Sequence, residues 1–166
     1  NSSNGFFCKT EAANNYLKLG KNSPKKIILN DQIRTFRIAI SSTGEYTSYW
    51  ADDDDSNGSN QEDALAAVVS TLNRVNAIFE QDLNIRLELV SDVSLLYEDS
   101  NTDPFNGNFA SELQTTLDTE IGDAGYDLGH LFDFGEPNGD AGCVGCVCVS
   151  NKKGQGFSTH PFVDIY

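Results

Sequence analysis

Residues 34–90 constrain the fold most, because a strand pattern, a helix pattern and a second strand pattern follow one another directly. The stretch RTFRIAIS, Arg34 to Ser41, alternates apolar and other residues, which is typical of a β-strand. A polar loop follows, and then one helix face carries apolar residues at three- and four-residue spacing: Leu65, Val68, Val69, Leu72, Val75, Phe79 and Leu83. The stretch IRLELV, Ile85 to Val90, predicts a second strand. A strand–helix–strand unit this short indicates parallel strands joined by a right-handed crossover.

Later segments extend this α/β pattern. Apolar residues spaced by four predict a second helix from Phe109 to Ile121, which Gly122 ends. The stretch YDLGHLFDF, Tyr126 to Phe134, predicts a third strand, and Cys143 to Ser150 resembles a short strand. We therefore predict a mostly parallel sheet in which Arg34–Ser41 lies between the other two main strands.

Length and charge limit the classes of function. The chain has 166 residues, enough for one domain. Its 25 acidic and 11 basic residues give a net charge of −14, which argues against binding to nucleic acid or to an anionic membrane surface. No apolar run reaches the roughly 18 to 20 residues that a membrane-spanning helix needs.

The two ends of the sequence predict different things. Residues 1–30 show little periodicity, so we predict an N-terminal arm or the remnant of a preceding segment, and we place the domain at 31–166. The chain stops on a run that includes Phe162, Val163, Ile165 and Tyr166, without a polar tail. Because domains commonly end in polar residues, we expect the fold to continue beyond Tyr166.

Four cysteines favour an oxidising compartment. They are Cys8, Cys143, Cys146 and Cys148. Together with the acidic surface they indicate a secreted protein with disulfides, whose pairing the sequence leaves open. A Cys146–Cys148 bridge is sterically awkward. The alternative, a site with four thiolate ligands for a metal, fits poorly because such sites usually present two separated cysteine pairs.

The acidic loop before the first helix matches half of a calcium-binding pattern. Asp53, Asp55, Asn57 and Gly58 follow the spacing D-x-D-x-N-G, but Ala64 stands where a bidentate glutamate is required. Calcium binding through Asp53, Asp55 and Asn57 is therefore a hypothesis, and a solvated charged loop is the alternative.

Neither histidine forms part of a recognisable catalytic motif. His130 lies inside the third predicted strand beside Gly129, which favours a locally hydrogen-bonded core residue. His160 precedes a proline in a predicted loop. No G-x-S-x-G motif accompanies them, so nothing indicates a nucleophilic triad.

Several segments, in order, carry a family resemblance. The most specific are TGEY at 43–46, LNRVN at 72–76 and YDLGH at 126–130. From about Arg34 onward the chain resembles the N-terminal half of bacterial secreted zinc metallopeptidases of the reprolysin, or adamalysin-like, branch of the metzincins. The resemblance implies an α/β fold of the metzincin N-terminal subdomain: a twisted, mostly parallel sheet of four or five strands, an antiparallel edge strand and two main helices.

The resemblance also implies a zinc endopeptidase that hydrolyses peptide bonds with metal-activated water. In metzincins the motif H-E-x-x-H-x-x-G-x-x-H holds the zinc and supplies the general base. This motif is absent from the 166 residues, and the resemblance implies that it begins just beyond Tyr166. We therefore expect the parent protein to be the enzyme and this chain, with no zinc ligand and no catalytic residue, to be inactive.

One functional element of the family maps onto this chain, the edge strand that pairs with an extended protein or peptide substrate. The resemblance assigns it to Gly142–Cys148, with Gly142, Cys143, Val144, Gly145 and Cys146 as its substrate-binding residues. It also implies that Cys148 bridges to the C-terminal part of the catalytic domain.

The uncharged stretch Cys143–Ser150 and the apolar stretch Phe162–Tyr166 also predict a docking surface. We expect it to bind the remaining part of the catalytic domain or a second copy of the chain. The alternative function is a non-enzymatic extracellular binding module on the same scaffold, with or without bound calcium.

Overall fold

The computed structural model describes residues 32–54 and 56–161. Its helices and strands are, in chain order, β1 (Arg34–Ser42), α1 (Gly44–Trp50), α2 (Asn60–Leu83), β2 (Ile85–Leu89), α3 (Phe109–Glu120), β3 (Leu128–Asp133), β4 (Asn138–Asp140) and β5 (Gly156–Thr159). Short 3-10 helices, Val93–Leu95 and Asp123–Gly125, precede α3 and β3. The predicted arm at 1–30 and the apolar ending at 162–166 lie outside the described residues.

The sheet has five strands in the order β2-β1-β3-β5-β4. β1 runs parallel to β2 and β3, and β3 runs parallel to β5. β4 is antiparallel to β5, with Asn138 opposite Thr159. The predicted α/β class, the parallel first two strands, the central place of β1 and an antiparallel strand at the sheet edge are confirmed.

Local signals set the bounds of α2, the crossover helix. Ser59 and Glu62 form a reciprocal capping box at its start, as their spacing allowed. Asn84 ends it in a left-handed conformation, with φ of 54°. Near that end the buried Asn76 amide accepts from Leu87 N (2.8 Å) and donates to Leu87 O (2.9 Å), which fastens the helix to β2.

Each face of the sheet carries one long helix, and the α2 face also carries α1 through Tyr46 and Trp50. The α2 face is built on Ile38, Ile40, Val68 and Leu72. The α3 face is built on Ala39, Leu113, Leu117, Leu131 and Phe157. Alternate residues of β1 therefore supply opposite cores, which is why its pattern has a period of two. No helix of the described residues is long and apolar enough to cross a membrane.

The sequence did not predict α1 or β5. α1 has seven residues, too few to display a helical period, and begins where the Thr43 hydroxyl accepts from Tyr46 N. β5 has four residues and pairs with β3 and β4 on its two sides. β3 is also shorter than predicted, and Tyr126 lies before it with its side chain buried.

Candidate substrate-binding groove

A groove of about 370 Å³ lies over the β3, β5 and β4 end of the sheet. Leu128 and His130 from β3 and Ser158 from β5 contribute to its lining. The loop after β4 forms another wall through Cys146 and Val147. Apolar walls with a few polar groups are typical of ligand-binding grooves, which makes this the candidate site of the chain.

His130 is the polar centre of the groove. Its Nε2 lies 2.9 Å from Ser158 Oγ. Gly156 makes room for the ring, because a Cβ there would meet His130 Nδ1 at 3.0 Å. The imidazole also packs edge-on against Phe132, with ring centroids 5.3 Å apart. The expected hydrogen bond is present, but it comes from Ser158, 28 positions away, and not from a residue nearby in the sequence.

Although the residue keeps some accessible surface, burial of the imidazole lowers the pKa of His130 from 6.5 to about 4. The ring is therefore neutral at pH 7. Because the unfolded chain binds this proton more readily, stability is fully present above about pH 6.5 and is lost as pH falls towards 4. At about 1.4 kcal/mol per pKa unit, the loss reaches up to about 3 kcal/mol.

We expect His130→Gln to flatten the decline in unfolding free energy between pH 6.5 and 4. The measurement is urea denaturation at a series of pH values. His160→Gln is the matched control, since it removes the other histidine and keeps His130. If both variants decline like the parent chain, the neutral His130 does not account for the acid sensitivity.

The loop after β4 is fastened by a disulfide and by bonds to the rest of the domain. Cys143 and Cys146 are bridged, so Cys146 does not pair with Cys148. Cys148 is a free, exposed thiol, and its N–H donates to Asp127 O (2.8 Å). Cys8 lies outside the described residues.

The prediction of a strand at Cys143–Ser150 is wrong. The segment forms consecutive turns, because Gly142, Gly145, Cys148 and Asn151 all have positive φ values between 61° and 79°. Left-handed residues so closely spaced break the extended conformation that a strand requires. The antiparallel edge strand is β4, a few residues earlier, in a segment whose glycines and proline resembled a loop. Of the predicted substrate-binding residues, Cys143, Gly145 and Cys146 line the groove as part of a wall beside the edge strand, and Gly142 and Val144 are not among its lining residues.

Lys153, which sequence reasoning missed, anchors this loop. It is a buried cation that donates to Asp123 O and to Tyr126 O, the latter at 2.9 Å. Its Nζ also lies 3.2 Å from Asp123 Oδ1 and 4.4 Å from the centre of the Tyr126 ring. The next residue, Gly154, donates its N–H to Gln114 Oε1 on α3 (2.8 Å). The sequence gives no sign that Lys153 is buried, because Lys152 beside it is the same residue type.

The calcium hypothesis gains no support from the described residues. Asp53 has a φ of 58° and accepts from Asn60, and the Asn57 amide donates to Asp52 (2.8 Å). Asp55 lies outside the described residues. These contacts join the loop to itself and to the start of α2.

The described residues do not fit a catalytic zinc site. No group of three or more His, Cys, Asp or Glu side chains that could hold a metal occurs in 32–54 and 56–161. His130 Nε2 lies 2.9 Å from Ser158 Oγ, and the backbone N–H of His160 donates to Asp133 O (3.3 Å) at the end of β3. No catalytic step is therefore assigned to the described residues.

The sheet is mostly parallel with one antiparallel pair at its edge, and helices cover both faces, which is an α/β fold. The family model of the reprolysin-like metallopeptidases, family M12B, matches residues 32–165. The chain belongs to this family, as its resemblance indicated. No curated protein matches the chain.

Proposed function

We propose that this chain is the N-terminal part of the catalytic domain of a secreted zinc endopeptidase, and that its task is to align the substrate. The carrying observation is the antiparallel strand β4 at the end of the sheet, within the residues that match the family. Such an edge strand binds an extended peptide through main-chain hydrogen bonds.

The groove supports this proposal. Gly139 and Asp140 of β4 line it together with His130 and Phe157, so a peptide on β4 has an apolar cavity beside it. A neutral His130 suits such a cavity, because a charged ring would need solvation that an apolar side chain displaces. The disulfide loop holds the opposite wall in place.

The zinc chemistry belongs to residues outside this chain. When bound, the metal activates the water that attacks the peptide bond. Secretion is supported by the Cys143–Cys146 disulfide and by the net charge of −14. The partners that fit are a protein or peptide substrate and the remainder of the catalytic domain.

We expect the 166-residue chain to bind an extended peptide and to leave it uncut, with or without added zinc. Methylating alternate backbone nitrogens of the peptide should weaken binding about tenfold, because a strand partner bonds through every second residue. Methylating the intervening nitrogens is the matched control. Calorimetry and mass spectrometry measure binding and cleavage.

Equal losses of affinity for both methylation patterns would contradict pairing at the sheet edge.

The coding sequence after Tyr166 tests whether the parent protein is a peptidase. H-E-x-x-H is expected within about ten codons, and its absence there would overturn the peptidase assignment of the parent.

A further inference from the structure

Charges of opposite sign are separated along the strands. Lys and Arg are absent from residues 38–73 and 87–151, so none directly follows the carboxyl end of β1, β2 or β3. The described cations gather near the amino ends of the strands, apart from Arg74 on α2. Ion pairs there are Arg37–Asp127, Arg86–Glu80 and Lys153–Asp123.

The carboxyl ends carry acids instead. We call the following set the acidic rim: Glu45, Asp52, Asp53, Asp133 and Glu136. All except the half-buried Asp133 are exposed. Hydrogen bonds from Asn57 and from Asp54 N lower the pKa of Asp52, so it stays charged at neutral pH.

Stacked aromatic rings lie within this rim. Tyr49 on α1 stacks on Phe134, directly after β3, with ring centroids 4.3 Å apart and planes 20° apart. Tyr49 is 45% exposed, and Trp50 meets it edge-on at 5.5 Å. Glu45 precedes Tyr49 by one helical turn, and Glu136 follows Phe134 by two residues. Rings flanked by carboxylates attract a cation through both the ring quadrupole and the charge.

A buried hydroxyl lies beside Asp133, one member of the rim. Among the described residues, Thr159 Oγ1 is a buried polar atom without a hydrogen-bond partner, in a residue that is 5% exposed. Thr159 Oγ1 and Asp133 Oδ2 both lie close to Gly135. A Cβ added at Gly135 would lie 3.0 Å from the first oxygen and 3.1 Å from the second. The Thr159 hydroxyl oxygen and the Asp133 carboxylate can both accept hydrogen bonds, and guanidinium and ammonium groups offer only donors.

We propose that the acidic rim and the Tyr49–Phe134 stack form a subsite for an arginine or lysine side chain of the peptide substrate. Thr159 pairs with Asn138 of β4, so the rim adjoins the edge where the substrate is proposed to pair. The inference rests on the proposed function for the identity of the ligand. It adds that the enzyme favours basic polypeptides.

The test compares two extended peptides that differ only in arginine against citrulline, its neutral isostere. Trp50 is the only tryptophan of the chain, so its fluorescence reports binding beside Tyr49. We expect the arginine peptide to bind at least about fivefold more tightly, with the preference shrinking as salt is raised. Tyr49→Leu should reduce the preference about two- to fivefold, and Glu136→Gln should reduce it too.

Asp82→Asn is the matched control, because Asp82 is an exposed acid near the end of α2, at the amino ends of the strands. Equal affinity for both peptides, or an equal effect of Asp82→Asn and Glu136→Gln, would overturn the subsite. The two proposals can fail separately. If the arginine peptide still binds more tightly than the citrulline peptide while both methylation patterns weaken binding equally, the subsite is supported and pairing of the peptide with β4 is contradicted.

Discussion

Replacing Gly44 with alanine is expected to lower the free energy of unfolding by about 3 kcal/mol. A Cβ at this position would lie 2.2 Å from Ser100 N and 2.6 Å from Asp99 C. Both are backbone atoms, so no side-chain rotation relieves the clash. The loop that contains Asp99 and Ser100 cannot move away from α1 without breaking hydrogen bonds. The buried Asp103 carboxylate of this loop accepts from Gly44 N (2.8 Å) and from Phe105 N (2.9 Å).

Chemical denaturation measures this effect, and Glu45→Ala is the matched control. Glu45 is the next residue of α1 and is exposed, so its truncation should change stability little. If the two variants unfold at the same denaturant concentration, the contact between Gly44 and the Asp99–Ser100 backbone does not constrain α1.

Replacing Lys153 with alanine is expected to cost about 2 to 4 kcal/mol. The change leaves Asp123 O and Tyr126 O without their donor and removes a cation from the Tyr126 ring. Because Lys153 is buried, water does not replace these bonds readily. The groove wall should loosen as well, since Lys153 leads into β5.

Lys152→Ala is the control for this prediction, because it removes the same charge from an exposed neighbouring residue. Thermal and denaturant unfolding of both variants give the comparison. Similar stabilities for the two variants would mean that the buried contacts of Lys153 contribute no more than a surface charge.

The elements with long periodic patterns were predictable from the sequence. β1 supplies alternate residues to the two cores, and α2 and α3 each bury one face, so their apolar spacing records the period of the element. The Ser59 capping box is equally local, since both its residues lie within one turn. α1 and the three-residue β4 span too few residues to show any period.

The candidate site was less predictable, because its parts come from distant segments. The valines and cysteines of 143–149 have the composition of a strand, yet left-handed residues and the Cys143–Cys146 bridge fold them into turns. His130 was identified as a core residue, but its partner Ser158 is 28 positions away. The Tyr49–Phe134 stack joins two rings whose sequence neighbourhoods share no pattern.

The sequence by itself determined the parallel strand–helix–strand unit, the second helix, the acidic charge and the family of the chain. Only the tertiary structure decided that Asn138–Asp140, rather than the cysteine segment, becomes the sheet edge, and that Lys153 rather than Lys152 is buried. The physical reason is the range of the interactions. Periodicity reflects burial along one continuous element, whereas strand pairing and buried polar bonds depend on partners brought together only when the chain folds.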